Sequence, residues 1–120
     1  MLENSFYHIT SFEHENGIVS AEVSFNATDA IFKGHFPGQP VVPGACMLQM
    51  EKELLEKAIG QHVQLRKAGN VKYISHITPD AVCSFRIQYV VKEDEYEVAG
   101  VISVNGKACY KSKTKYSTLS

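Results

Sequence analysis

Residues 34–44 of the chain read Gly34-His35-Phe36-Pro37-Gly38-Gln39-Pro40-Val41-Val42-Pro43-Gly44. Proline fixes φ and removes a backbone donor, while glycine permits positive φ and the close approach of other groups. The stretch therefore predicts a rigid loop that holds His35 in one orientation. Because Pro43 suits the first turn of a helix, we expect a helix to begin at Gly44 with free backbone N–H groups.

The residues that follow the loop have a helical pattern from Gly44 to Ile59. The apolar stripe consists of Met50, Leu54, Leu55, Ala58 and Ile59, and the polar face of Lys52, Glu53, Glu56 and Lys57. The first turn, Ala45–Leu48, is apolar on every side, so we expect it to be buried nearly all round. Gly60 is a typical C-terminal stop.

Segments rich in aromatic and β-branched residues predict the strands of an antiparallel sheet. The predicted strands are Ser5–Phe12, Ile18–Phe25, Val63–Ile77, Ala81–Val91, Tyr96–Val104 and Lys107–Ser117. Turns are predicted at Asn16–Gly17, Thr78–Asp80, Lys92–Glu95 and Asn105–Gly106, and one helical turn at Thr28–Phe32. Alternation in the last strand places Ala108, Tyr110, Ser112, Thr114 and Tyr116 on one face. The order predicts an α+β fold in which a curved antiparallel sheet wraps around one long central helix.

Composition and charge limit the number of domains, the kinds of partner and the location that we expect for this protein. The 120 residues fit one domain, and 12 basic against 13 acidic residues give a net charge of −1. This balance does not favour a nucleic-acid or membrane-surface partner. We see neither a membrane-spanning run nor a signal peptide, so the expected location is cytoplasmic. Three widely spaced cysteines (Cys46, Cys83 and Cys109) do not form a metal-ligand pair and are expected to fill core space, with Cys46 as an alternative nucleophile.

The loop resembles a known signature. Residues 35–44 match HFPGxPxxPG, the motif of the 3-hydroxyacyl-[acyl-carrier-protein] dehydratases of fatty-acid synthesis, at every defined position. These enzymes have the hotdog fold, and the resemblance implies a single hotdog domain over residues 1–120. The order of elements agrees along most of the chain, while the motif itself is confined to the loop and the helix start. Pro79–Asp80 stands where the family has a Pro-Gly-Asp turn, without the glycine.

The resemblance implies a reaction in which water is eliminated from a 3-hydroxyacyl thioester to give a trans-2-enoyl thioester. His35 would remove the α-proton, and the N–H of Gly44 would bond the thioester carbonyl. Removing one donor of this kind typically costs about 3 kcal/mol of transition-state stabilisation. No cofactor and no metal ion is implied. The candidate substrate contacts are Phe36, Pro37, Gly38, Pro43, Ala45 and Leu48.

Two positions of the predicted helix depart from the family pattern. The family has a Glu or Asp fourteen residues after the histidine, where this chain has Gln49, and a glutamine four residues later, where this chain has Glu53. Glutamine can form hydrogen bonds but cannot exchange a proton at ordinary pH. Residues four apart share a helix face, so the amide and the carboxylate are exchanged between adjacent turns. We expect Gln49 to orient the substrate hydroxyl, with Glu53 as a second candidate catalytic residue.

Partners also follow from the resemblance. An acyl carrier protein bearing an acyl-phosphopantetheine thioester is the implied partner, and Lys33, Arg66, Lys67 and Lys72 are candidate cations to attract it. A homodimer is expected, because a single sheet leaves edges to cover and because family sites take the histidine from one chain and the helix residue from the other. A trimer of dimers and a heterodimer with a related dehydratase remain open.

Several alternatives stay open at this stage. The replacement of the acid by Gln49 is compatible with a non-catalytic hotdog subunit that binds acyl thioesters or supports an active partner, and the fold is shared with thioesterases. His35 could be structural, and Gln49 and Glu53 could belong to a solvated polar stripe. The pathway, whether fatty-acid, lipid A or polyene synthesis, is not determined by these residues.

Overall fold

The computed structural model describes residues 1–33 and 38–119. It contains six strands and two helices in this part of the chain. In order these are β1 (Tyr7–Glu15), β2 (Ile18–Phe25), α1 (Ala30–Lys33), α2 (Gly44–Ile59), β3 (Val63–Tyr73), β4 (Val82–Lys92), β5 (Glu95–Val104) and β6 (Lys107–Thr118). No helix in the described ranges is long and apolar enough to cross a membrane.

The six strands form one sheet in the order β1-β2-β4-β5-β6-β3, and all neighbours are antiparallel. Asn16–Gly17 and Asn105–Gly106 have positive φ at both residues, which closes the tight turns β1–β2 and β5–β6. One sheet face packs against α2 and carries the largest buried residues. The predicted α+β hotdog arrangement is therefore confirmed.

Several bounds differ from the prediction: β1 covers Tyr7–Glu15 rather than Ser5–Phe12, and α1 covers Ala30–Lys33 rather than Thr28–Phe32. β3 ends at Tyr73 rather than at Ile77, because the N–H groups of Ile74 and Ser75 both bond to the carbonyl of Cys109, at 2.8 and 3.2 Å, and the ladder stops there. The carbonyl of Ile77 then accepts a hydrogen bond from Val42 at 2.8 Å, which ties this segment to the loop before α2.

The first turn of α2 is also less buried than predicted. Met47 is buried, Cys46 and Leu48 are half-buried and Ala45 is exposed. This turn faces the sheet on one side only, so its other side lies open. The C-terminal stop was predicted correctly, since Gly60 adopts φ +69° and its N–H bonds to the carbonyl of Glu56.

A buried carboxylate joins α2 to the sheet. Glu51 has no exposed surface and accepts hydrogen bonds from four hydroxyl groups of β6. The donors are Tyr110 at 3.4 Å, Ser112, Thr114 at 3.0 Å and Tyr116 at 2.6 Å. These are four of the five residues that the alternating pattern placed on one face. Buried polar groups need partners, and here every lone pair of the carboxylate is used.

The residues around Glu51 leave space for its carboxylate and keep their hydroxyl groups available as donors. A Cβ at Gly100 would overlap the carboxylate, so only glycine leaves room on β5. Burial and the nearby carboxylate raise the pKa of Tyr110 and Tyr116 above the usual range, which keeps both hydroxyls protonated as donors. Glu51 therefore fixes the rotation and the height of α2 on the sheet.

We expect Glu51→Ala to lower the free energy of unfolding by about 3 kcal/mol or more, because it leaves four buried hydroxyl groups without their acceptor. The matched control is Glu22→Ala, which removes an exposed carboxylate from the outer face of β2 and is expected to stay within about 0.5 kcal/mol of wild type. Urea unfolding followed by circular dichroism measures both. Equal stability of the two variants would contradict the assigned role of Glu51.

Candidate functional site

The sequence-predicted site residues fall into three groups. His35, Phe36 and Pro37 lie outside the described residues. Gly38, Pro43 and Gly44 belong to the loop end and the helix start, where Gly38 has φ +88°. The last group is carried by α2, and consists of Ala45, Leu48, Gln49 and Glu53.

The start of α2 borders an open cavity of about 560 Å³. Its wall includes Pro43, Gly44, Ala45 and Cys46 from α2 and its cap, and Tyr73 from the end of β3. Pro43 caps the helix with φ −63° and ψ 145° and provides no side-chain hydrogen bond. Within residues 1–33 and 38–119, the N–H groups of Gly44 and Ala45 have no hydrogen-bond partner. Free N–H groups at a helix start favour an anionic or polarised oxygen.

Tyr73 covers this helix start. Its hydroxyl donates to the carbonyl oxygen of Gly44 at 3.2 Å, and a Cβ at Gly44 would lie 2.8 Å from its ring. The ring in turn packs on Tyr110, with ring centroids 5.7 Å apart, and Tyr110 is one of the donors to Glu51. Glycine at position 44 is thus required for this contact, and the helix start is connected through two aromatic rings to the buried carboxylate.

Gln49 and Glu53 form a pair on the next two turns of α2. The Gln49 side-chain nitrogen donates to Glu53 Oε2 at 2.8 Å. Glu53 is only 3 % exposed, so the expectation of a solvated helix charge is wrong. It is buried because the turn at Leu2–Tyr7 folds over it.

Glu53 is the anchor of that turn. Its carboxylate accepts hydrogen bonds from the N–H of Leu2 at 2.8 Å, the N–H of Glu3 at 2.9 Å and the hydroxyl of Tyr7 at 3.1 Å. Burial, followed by the Glu53 charge, raises the pKa of Tyr7 above its usual range. Together with Gln49, these groups supply four donors to one carboxylate.

The chain does not bring Gln49 into the cavity at Gly44. The cavity wall includes Ala45 and Met47 but not Gln49, and Glu53 lines a different cavity together with Glu3 and Lys57. Gln49 shares a helix flank with Ala45, Leu48 and Lys52, following the i, i+3, i+4, i+7 spacing. All four are at least partly exposed, so this flank of α2 is left uncovered within one chain.

Cys46 lines the cavity and is half-buried. Burial, with smaller contributions from the charges of Asp29 and Glu53, raises the pKa of its thiol. A raised pKa leaves little thiolate at neutral pH, which is the opposite of what a nucleophilic cysteine requires. Cys83 and Cys109 are buried in the core, as predicted.

Comparison with known proteins identifies the family. A family model described as ApeI-like, "ApeI dehydratase", matches residues 11–112. The chain belongs to the ApeI dehydratase family. The match spans both edges of the sheet and all of α2, so it includes the loop, Gly44, Gln49 and Glu53 in one continuous region.

Individual relatives agree with this. A 3-hydroxyacyl-[acyl-carrier-protein] dehydratase FabZ of Clostridium acetobutylicum is 29% identical over 102 residues, which cover 78% of this chain and 71% of the relative. The dehydratase heterocomplex ApeI:P from Xenorhabdus doucetiae contains a chain with a TM-score of 0.80 at 16% identity, covering 91% of this chain and 96% of that one. A hypothetical thioesterase from Streptococcus pneumoniae, solved with coenzyme A, has a TM-score of 0.67 at 12% identity, covering 97% and 90%. The two structures establish the fold, and the chain is a dehydratase-like hotdog protein.

Sequence reasoning missed three residues of the site region. Glu51 was overlooked although four hydroxyl-bearing residues on the buried face of β6 signalled a need for a polar partner. Tyr7 and Tyr73 were overlooked because their roles depend on the hydroxyl reaching across the fold to Glu53 and Gly44. Contacts between residues that are far apart in the chain produce no recognisable pattern in the sequence.

We expect alkylation of native protein by iodoacetamide to be confined to Cys46 and to accelerate up to and beyond pH 9, because only the thiolate reacts and the pKa of this thiol is raised. Burial raises the pKa of Cys83 to about 12, and both Cys83 and Cys109 lie in the core, so they should react only after unfolding. Mass spectrometry of Cys46→Ser, which should lose the native-state adduct, is the control. A rate that levels off below pH 8 would show a stabilised thiolate and contradict this assignment.

Proposed function

We propose that this chain is a dehydratase that eliminates water from 3-hydroxyacyl thioesters to give trans-2-enoyl thioesters, in fatty-acid or polyene-type lipid synthesis. The observation that carries the proposal is membership of the ApeI dehydratase family over residues 11–112. The open N–H groups at Gly44, beside a cavity, support it because a developing enolate oxygen needs donors that are already in place.

His35 acts as the base in this proposal. It takes the α-proton while the N–H of Gly44 stabilises the enolate oxygen, and the C–H electron pair becomes the new C=C bond. The C–O bond at carbon 3 then breaks with its electron pair on oxygen, and protonated His35 returns the proton to that oxygen, which leaves as water. Base and acid are the same residue, so the elimination takes place on one face and Gln49 only has to hold the hydroxyl.

The proposed site is completed by a second copy of the chain. Gln49 does not line the Gly44 cavity of its own chain and lies on the uncovered flank of α2. The edge strand β3 supports the same arrangement, since Leu65 and Tyr73, on its inner side, are 39% and 52% exposed. Pairing of two β3 edges would cover these side chains and bring the flank of one α2 toward the cavity of the other. A heterodimer with a related dehydratase would use the same surfaces.

An acyl carrier protein is the proposed carrier of the substrate. On the outer side of the sheet, Lys67 lies opposite Lys115 and Lys72 opposite Lys111 across β3 and β6. Like charges directly opposite each other destabilise a sheet, so an acidic partner would relieve their repulsion. Lys72 is adjacent to Tyr73, which places this row next to the cavity. We propose a cytoplasmic location on the basis of the sequence.

A second candidate is a non-catalytic subunit that supports an active partner. The amide at position 49 favours it, and the similar ApeI:P structure is a heterocomplex. Thioester hydrolysis is a third candidate, favoured by the fold shared with the hypothetical thioesterase. In this chain Glu53 already accepts four hydrogen bonds, which argues against its activating a water molecule.

The test is the dehydration rate of purified chain with a 3-hydroxyacyl-carrier thioester, followed by formation of the enoyl product. We expect His35→Ala to lower kcat by a factor of about 10² to 10⁴, as for loss of a general base. Gln49→Ala should lower it by roughly tenfold or more, as for one strong hydrogen bond. His8→Ala, which removes an exposed histidine on β1 away from the cavity, is the control.

The outcomes separate the candidates. Turnover by wild type that does not change in His35→Ala would contradict the mechanism. Turnover that appears only after a related dehydratase is added, and survives His35→Ala in this chain, would favour the supporting subunit. Release of free acid instead of enoyl thioester would favour the thioesterase.

A further inference from the structure

We propose that Glu53 is a positioning residue for the dehydration: it holds the Gln49 amide with its nitrogen toward Glu53 and its carbonyl oxygen toward the substrate hydroxyl. The catalytic part of this inference rests on the proposed function. The orientation itself rests on contacts among residues 2–7 and the middle of α2.

The Glu53 carboxylate accepts hydrogen bonds at both of its oxygens. Oε1 accepts from the N–H of Glu3 and the hydroxyl of Tyr7, and Oε2 accepts from the N–H of Leu2 and the Gln49 nitrogen, all between 2.8 and 3.1 Å. Two of the donors are backbone groups that cannot act as acceptors. Each oxygen of the carboxylate therefore accepts from one backbone donor, and an ionised carboxylate can only accept hydrogen bonds.

The Glu53 carboxylate determines the orientation of the Gln49 amide. A glutamine side chain can turn over and exchange the positions of its oxygen and nitrogen with little change in shape. If the Gln49 amide were turned over, its oxygen would lie about 2.8 Å from Glu53 Oε2, and no proton would lie between these two acceptors. Only one orientation forms a hydrogen bond, so the nitrogen faces Glu53 and the carbonyl oxygen faces away from it.

The orientation of the Gln49 amide affects how readily the substrate hydroxyl leaves. A substrate hydroxyl that donates to the Gln49 oxygen keeps its own lone pairs free to accept the proton from His35. An amide in the opposite orientation would donate to those same lone pairs and make the hydroxyl a poorer proton acceptor. The fixed orientation thus lets a residue that cannot exchange protons still help the leaving group, which is a different role from the catalytic one expected for Glu53 from the sequence.

Kinetics with a double-mutant cycle test the coupling. We expect Glu53→Gln to lower kcat roughly five- to tenfold, equivalent to one hydrogen bond, with KM changed less than twofold. Because Glu53 acts through Gln49, the same substitution should have no further effect on kcat in Gln49→Ala. The matched control is Glu56→Gln, since Glu56 also accepts a backbone N–H, from Val63 at 2.9 Å, but does not contact Gln49. An equal loss in both backgrounds, or no loss in either, would overturn the proposal.

A measurement that does not depend on activity tests the orientation. In a ¹H–¹⁵N spectrum, the side-chain amide pair of Gln49, assigned by its disappearance in Gln49→Ala, should include one shifted, slowly exchanging proton. Glu53→Gln should abolish this signature, and Glu56→Gln should preserve it. An amide pair with the shift and exchange rate of an exposed glutamine in wild type would disprove the orientation. If the signature is present but wild type forms no enoyl product, the proposed function fails and the orientation stands.

Discussion

The hydrogen-bonded contact between Glu51 and the hydroxyl groups of β6 is the constraint on which the rest of the structure depends. A helix on a sheet can rotate when only apolar side chains meet, since the hydrophobic effect has no direction. Four hydroxyl groups converging on one carboxylate remove that freedom, because each must keep its partner. Successive residues of a helix point about 100° apart, so fixing Glu51 fixes the direction of every other side chain on α2.

The direction of the remaining side chains then determines what the helix can do. Gly44 lies under Tyr73 with its N–H open to a cavity, and Gln49 lies on the uncovered flank. Glu53 lies beneath the Leu2–Tyr7 turn. The two buried carboxylates of α2 each accept from four donors: Glu51 from β6, and Glu53 from three groups of the Leu2–Tyr7 turn and from Gln49. Neither has a lone pair left for proton transfer, so in our account the proton passes through His35 alone and the helix contributes an oriented amide.

Local signals predicted much of the fold. Proline at the cap and glycine at the stop defined α2 from Gly44 to Ile59, and two Asn-Gly turns defined the hairpins, because these residues act on the backbone beside them. The end of β3 was predicted four residues late, since it depends on the carbonyl of Cys109 accepting two N–H groups from a distant part of the chain. Burial of Glu53 was also missed, because a carboxylate on a polar stripe gives no sign of the turn that closes over it. For the site, the loop and the exchanged amide and carboxylate remain predictions from the sequence, whereas the hydrogen-bond partners of each carboxylate became visible only in the fold.

The central claim is that His35 of one copy works with Gln49 of another. Mixing His35→Ala with Gln49→Ala after unfolding and refolding together tests this most directly. Random pairing makes half of the dimers hybrid, and each hybrid has one site with both residues intact and one with neither, so about one quarter of wild-type dehydration should return. Recovery of about one quarter is the predicted result. A mixture no more active than the average of the two variants would show that both residues act within one chain and would contradict the account.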